Sequence, residues 1–309
     1  MPRTRPSHLT PILQALLVTF LWSTSWVLIK FGLKEIPAVS FAGLRYVLAF
    51  LVLAPALAAS GELRLQLRHL DSADWLRLAL LGVVFYTLTQ GAQFIALDYL
   101  PAVTLSLILS FSPAAVALLG VAFLDERLGR RQWLGVVCFL TGAVFYFLPL
   151  RVVFHSLGLA VGVLAMLANS AAALLGRSVN RRGDLHPLLV TVVSMGIGSL
   201  LLLATGLAVE GVPRLDRSGW GIVLWLAIVN TAVAFTLWNH TLRRLTAIES
   251  SLINNTMLVQ IAILAWLFLG EPIGARQAVG LALAVVGVLL VQLPAGGGLN
   301  ASRDPTTAA

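Results

Sequence analysis

The chain is short of charge. Asp, Glu, Lys and Arg make up 11% of its 309 residues, 59% are hydrophobic, and the mean hydropathy is +0.92. Soluble domains carry roughly a quarter charged residues. So depleted a composition excludes an ordinary soluble protein. Apolar runs of about twenty residues, long enough to cross a bilayer, stand in its place. Cysteine is nearly absent: Cys138 alone cannot close an internal disulfide, and its apolar neighbours mark it as packing. Lysine is scarce, two residues against nineteen arginines. The formal surplus of eight positive charges would suggest nucleic acid in a soluble chain. Here the cations fall in short loops between apolar runs, so no nucleic-acid partner is expected. The five histidines are scattered through terminal, loop and span-end positions, so no metal site is expected. No HExxH, GxSxG or GxxxxGK[ST] occurs, which removes zincin, serine-hydrolase and ATP-driven chemistry. The chain reads as a non-enzyme without a cofactor.

What is present is a series of ten spans, expected at about 11–33, 38–59, 75–97, 101–124, 132–148, 156–176, 187–209, 220–242, 246–270 and 276–293. The polar tail 294–309 is expected to be disordered. With the N-terminal segment 1–10 placed in the cytoplasm, the inner segments hold fourteen Lys or Arg and the outer ones six. The positive-inside bias therefore puts both termini on the cytoplasmic side; the membrane expected is a bacterial inner membrane.

The stretch "FLDERLGRRQWLG" at Phe123–Gly135 returns as "FLGEPIGARQAVG" at Phe268–Gly280. Sliding the chain by 145 residues aligns these knots, and also Trp75 with Trp220 and Ser106 with Ser251, without a gap. Nineteen of 73 aligned residues are identical. Residues 11–150 and 151–293 thus read as two copies of a five-span unit. Five is odd, so the second copy enters from the opposite side as an inverted repeat. The charges agree: Arg127, Arg130 and Arg131 of the first knot correspond to Pro272, Ala275 and Arg276, while Asp98-Tyr99 correspond to Arg243-Arg244. Each knot reads as a turn, with Gly129 or Gly274 permitting the bend. Glu126 and Glu271 are either latches paired with Arg or parts of a polar hairpin at headgroup level. The second reading is preferred, and neither glutamate is placed among the site residues.

These motifs resemble the EamA-type drug/metabolite transporters. The knots resemble that family's repeated Glu-to-Gln-to-Gly ending, "FLWSTSWVLIKFGL" its first span and "FAGLRYVLAF" its second. The resemblance extends over about residues 11–293. It implies an all-α, ten-helix membrane protein, two inverted five-helix repeats around a central cavity. Members of that family move amino acids, aromatic ones included, and other small metabolites, often outward.

Polar residues near span centres point into a bundle, because an unsatisfied polar group in lipid costs several kcal/mol. They fall on spans 1, 3 and 4 of one half and the matching 6, 8 and 9 of the other, while spans 5 and 10 are nearly bare. The candidate substrate-binding residues are Trp22, Ser25, Trp26, Tyr86, Gln90, Gln93, Ser106, Ser110, Asn169, Asn230, Trp238, Asn254 and Asn255. An aromatic cavity with amide donors suits a small, partly apolar solute. Pro55 and Pro113, inside spans, are candidate gating bends. Gly135, Gly142, Gly280 and Gly287 are expected to let helices approach closely. Arg45, about 10 Å into the second span, is read either as snorkelling to the interface or as binding an anion such as a substrate carboxylate. No Asp or Glu lies near a span centre, which favours uniport or exchange over tight proton coupling. A channel-like or lipid-handling protein is the alternative.

Overall fold

The computed structural model describes residues 9–112, 114–115, 129–147, 155–180, 185–242, 244–245 and 247–292. In hydrocarbon every backbone N–H and C=O has to bond within its own segment, so these apolar runs fold as helices. The helices are α1 (Leu9–Gly32), α2 (Ala38–Ala59), α3 (Gly61–Arg68), α4 (Ser72–Tyr99), α5 (Ala102–Leu109), α6 (Arg130–Phe147), α7 (Ser156–Asn180), α8 (Pro187–Glu210), α9 (residues 217–242), α10 (Ala247–Leu269) and α11 (Ala275–Gln292). Among the described residues six helices are long and apolar enough to cross a membrane, and α10 and α11 carry shorter apolar stretches. Where ends can be compared, they fall within a few residues of the expected spans. Pro113, Glu126 and the tail 294–309 lie outside the described residues.

The two halves interleave. α2 packs on α8 and α6 on α11, and each pair joins repeat-matched helices from opposite halves. α1 packs on α10, and its counterpart α7 packs on α4 and α5. The α6–α11 seam shows why glycine recurs at one spacing. A Cβ at Gly142 would lie 2.6 Å from the Gly280 carbonyl oxygen, and one at Gly135 would lie 2.8 Å from that of Gly287. The two backbones touch, which only glycine permits.

Helix ends are satisfied across the halves. An exposed helix start leaves backbone N–H groups without partners. The Glu210 carboxylate, at the end of α8, accepts from Val39 N at 3.0 Å and from Ser40 N and Oγ at 2.8 Å, at the start of α2. Glu271 accepts from Ala102 N at 2.8 Å and Val103 N at 3.2 Å, at the start of α5. At the opposite end of α2 and α8, Gln66 Oε1 accepts from His186 N at 2.9 Å, just ahead of α8.

Three expectations are corrected. Glu271 is not an arginine latch: it sits in the turn between α10 and α11, and its carboxylate caps a helix of the other half. The left-handed residue of the second knot is Gly270, with φ of 66°, and not Gly274. Gly129 and Gly274 instead precede α6 and α11, where their carbonyls accept from Trp133 N and Ala278 N. Gln132 Oε1 reaches back to Gly129 N at 2.9 Å, in the manner of a capping box. The segment between the second and third spans, expected as a loop, contains α3. Ser60 Oγ accepts from Leu63 N at its start, Leu63 is buried, and Leu65 is exposed. Eight residues are too few to register as a span.

Opposed orientation has a direct check. In a Cys138→Ser background, a cysteine at Gly129 is expected to react with an impermeant thiol reagent from one side only, and one at Gly274 from the other. Labelling of both from a common side would refute the inversion.

Candidate functional site

The third and eighth spans each contain a π-helical segment, Val83–Gln90 in α4 and Ile228–Val233 in α9. The first residues differ by the repeat shift of 145. In both, a threonine hydroxyl bonds the carbonyl five residues back: Thr89 to Val84 and Thr231 to Leu226, each at 2.8 Å. Such wide turns are rare and concentrate at functional sites.

Asn230, in the α9 π turn, is wholly buried. Its Nδ2 donates to α1, toward Leu21 O, Thr24 Oγ1 at 3.1 Å and Ser25 Oγ at 3.0 Å. Its Oδ1 is buried without a partner. Further along α9, Phe235 and Trp238 pack on Trp22, with ring centroids 5.4 and 5.3 Å away. The Trp22 Nε1 donor is likewise buried and unpartnered.

The α4 π turn meets α2. Tyr46 donates its hydroxyl to Gln90 Oε1 at 2.7 Å, and its ring packs on Tyr86 at 5.5 Å. Arg45, beside it, turns to the other half, where Nε donates to Thr231 Oγ1 at 3.1 Å. Arg45 is 5% exposed, so it does not snorkel.

The repeat shift exposes an inversion of chemistry at this site. Phe85 and Tyr86 correspond to Asn230 and Thr231, and Gln90 and Gln93 correspond to Phe235 and Trp238. Aromatic residues stand opposite polar ones at all four matched positions.

The structure thus brings together Trp22, Ser25, Asn230 and Trp238, and separately Tyr86 and Gln90, with Gln93 half-buried one turn further on the same face. Trp26 is packed in the main hydrophobic core. Ser106 and Ser110 donate to carbonyls of their own segment, Val103 O and Ser106 O. Asn169 donates to Ser112 Oγ at 3.1 Å, tying α7 to the segment after α5. Asn255 is half-buried. Asn254 is exposed, although Leu258 and Ile261 on its face of α10 are buried, so the packing opens at its level. Pro55 lies inside α2 but is exposed on the outer face of that helix.

Sequence reasoning missed Tyr46, Thr231 and Phe235 as site residues. The repeat shift held a signal for Phe235, the counterpart of Gln90. It also left out Gln260, whose side chain joins α10 to α1 by accepting from Ser23 Oγ at 2.9 Å and donating to Thr19 Oγ1 at 3.3 Å.

Both halves of the bundle contribute a wide turn and a buried polar atom without a partner, and the proteins this chain is similar to are membrane transporters. The EamA-like transporter family model matches residues 9–148 and again 156–293, and the chain belongs to that family. An "uncharacterized transporter" of Synechocystis sp. is 28% identical over 295 residues, covering 88% of this chain and 86% of that protein. Uncharacterized transporter YoaV of Bacillus subtilis is 26% identical, covering 88% and 93%. Protein PecM of Dickeya dadantii is 24% identical over 230 residues, covering 73% and 76%. A solved crystal structure of a protein 19% identical in sequence superposes with a TM-score of 0.65, over 91% of this chain and 97% of that one, a likeness of fold.

Proposed function

We infer that the chain is a secondary transporter of small, partly apolar metabolites, amino acids among them. It works by alternating access between the two halves, both termini are cytoplasmic, and its direction in the cell is outward. The observation that carries this reading is the pair of buried, uncommitted groups beside the aromatic contact, the Trp22 Nε1 donor and the Asn230 Oδ1 acceptor. A buried polar atom without a partner costs about 1–3 kcal/mol. A bound solute that supplies the missing bonds recovers that energy, and the rings of Trp22, Phe235 and Trp238 offer it an apolar surface.

The energetics favour downhill uniport or exchange. Proton-driven carriers commonly use an intramembrane carboxylate or histidine. Among the described residues Glu210 and Glu271 sit at helix ends, His240 is exposed near the end of α9, and the one buried charged residue is Arg45.

Reconstituted liposomes test both statements. A panel of amino acids and small metabolites is expected to include solutes with saturable, mutually competing flux. Preloaded substrate is expected to drive counterflow, with no accumulation on imposing a pH gradient alone. Non-saturable flux would point to the channel-like alternative, and pH-driven accumulation would overturn uniport. Trp22→Ala is expected to raise the half-saturation concentration about tenfold or more, from the lost aromatic contact. Unchanged kinetics would remove Trp22 from the site.

A further inference from the structure

Arg45 is the group that the transport reading leaves unexplained. It lies seven residues past the start of α2 and is almost wholly buried among helices of both halves. A buried cation costs several kcal/mol unless it is paired and its donors are filled. A guanidinium has five N–H donors. One is used, Nε to Thr231 Oγ1, and the cation stacks over the Tyr46 ring at 5.1 Å from its centroid. Among the described residues no Asp or Glu pairs with Arg45, and neither Nη group has a hydrogen-bond partner.

The surroundings make this deficit specific. Thr231 donates its own proton to Leu226 O, so its oxygen is fixed as an acceptor and holds the Nε edge in place. The two Nη groups are left as a planar fork, the geometry that grips a carboxylate through two parallel bonds. Thr231 is the next residue after Asn230, and Arg45 is the neighbour of Tyr46, which bonds Gln90. Arg45 and Tyr46 thus tie α2 to both π turns. Among the described residues it is also the one buried charge, so the site balances a monoanion and not a phosphate dianion.

We propose that Arg45 binds the carboxylate of the transported solute, so that the substrates of this protein are monocarboxylates. This rests on the transport reading and narrows it: a neutral amide or an amine of the same shape is a poor substrate. The alternative is a purely structural role, in which Arg45 ties α2 to α9 through Thr231 and needs no anion.

The test uses the full chain purified in detergent, with binding followed by tryptophan fluorescence and thermal stabilisation. The probes are leucine and leucinamide, phenylalanine and phenylalaninamide, phenylacetate and phenylacetamide, and phenyl phosphate. At least one acid is expected to bind, with its amide about thirtyfold weaker or worse, the scale of losing one partner of a buried charge pair. Phenyl phosphate is expected to bind no better than phenylacetate. In Arg45→Gln the preference for acid over amide disappears, and Arg45→Lys retains part of it. Amides that bind the wild type as well as the acids do, an Arg45→Gln protein that keeps the preference, or no stabilisation by any acid would each overturn the proposal. Should both Arg45 variants fail to fold, the wild-type acid-to-amide ratio decides it alone. Flux in liposomes separates this from the parent reading. Acids that bind without moving sink transport and leave the site. Saturable flux of amides at the rate of the acids sinks the site and leaves transport.

Discussion

Gly287→Leu is expected to yield little folded protein. At this position a side chain would enter backbone and not a pliable neighbour: a Cβ would sit 2.5 Å from Phe139 N and 2.7 Å from the Gly135 carbonyl oxygen. The opposing strip is itself glycine, with Gly142 and Gly280 in the same relation one repeat of the seam away. Neither helix can rotate out of the clash without opening the other contact. Overpacking of a close-packed site costs about 1–3 kcal/mol, more where backbone has to move. Association within a bilayer depends on such packing, because no hydrophobic force draws helices together there. Thermal unfolding followed by gel filtration in detergent is the measurement, with Gly221→Ala as control, since a Cβ at Gly221 meets nothing within 4 Å. A Gly287→Leu protein as stable as the control would show that the seam is looser than described.

Glu271→Ala is expected to act on conformation more than on folding. Its carboxylate accepts from two backbone N–H groups at the start of α5, across the boundary between halves. Removing a helix cap costs about 0.5–2 kcal/mol, and a charged acceptor lies toward the upper end. Because the bond joins the halves at one end of the bundle, its loss favours the conformation open at that end. A bias of about 1.4 kcal/mol is a tenfold change in population. With Ser25→Cys as reporter in a Cys138→Ser background, thiol labelling from the expected outer side should rise about tenfold in Glu271→Ala. Glu271→Gln, which keeps an acceptor but not the charge, should lie between. Labelling rates equal to the parent would mean that the cap stabilises α5 without holding the halves closed.

Much of the architecture could be read in advance because it depends on length and repetition. Span lengths follow from bilayer thickness, and the glycine seam follows from four glycines at matched positions. Orientation of side chains was harder to read. On α2 the exposed face carries Leu51 and Val52 and the buried face carries Phe41 and Ala49. Lipid is as apolar as the bundle interior, so the periodicity that marks the inside of a soluble helix is missing. Arg45 could therefore be assigned a depth but not a direction. The caps by Glu210, Glu271 and Gln66 were hidden for another reason. Each joins segments more than a hundred residues apart, so no local pattern announces them. The π turns left no signature that Thr89 and Thr231 alone could supply, since a hydroxyl bonds the carbonyl of an ordinary turn as readily.

The exchange of aromatic for polar residues between α4 and α9 has a kinetic consequence. A bundle with perfect two-fold symmetry would show the same chamber to each compartment. In this one α4 and α9 each carry two aromatic and two polar positions, but in opposite order along the repeat, so under the alternating access proposed above the chamber opened to one compartment differs in chemistry from the chamber opened to the other. For unassisted carriage the ratio of maximal rate to half-saturation must match in the two directions, or a perpetual current would flow. Each quantity taken singly is free to differ, so the lopsided lining lets entry from one compartment be tight and slow while entry from the other is loose and fast.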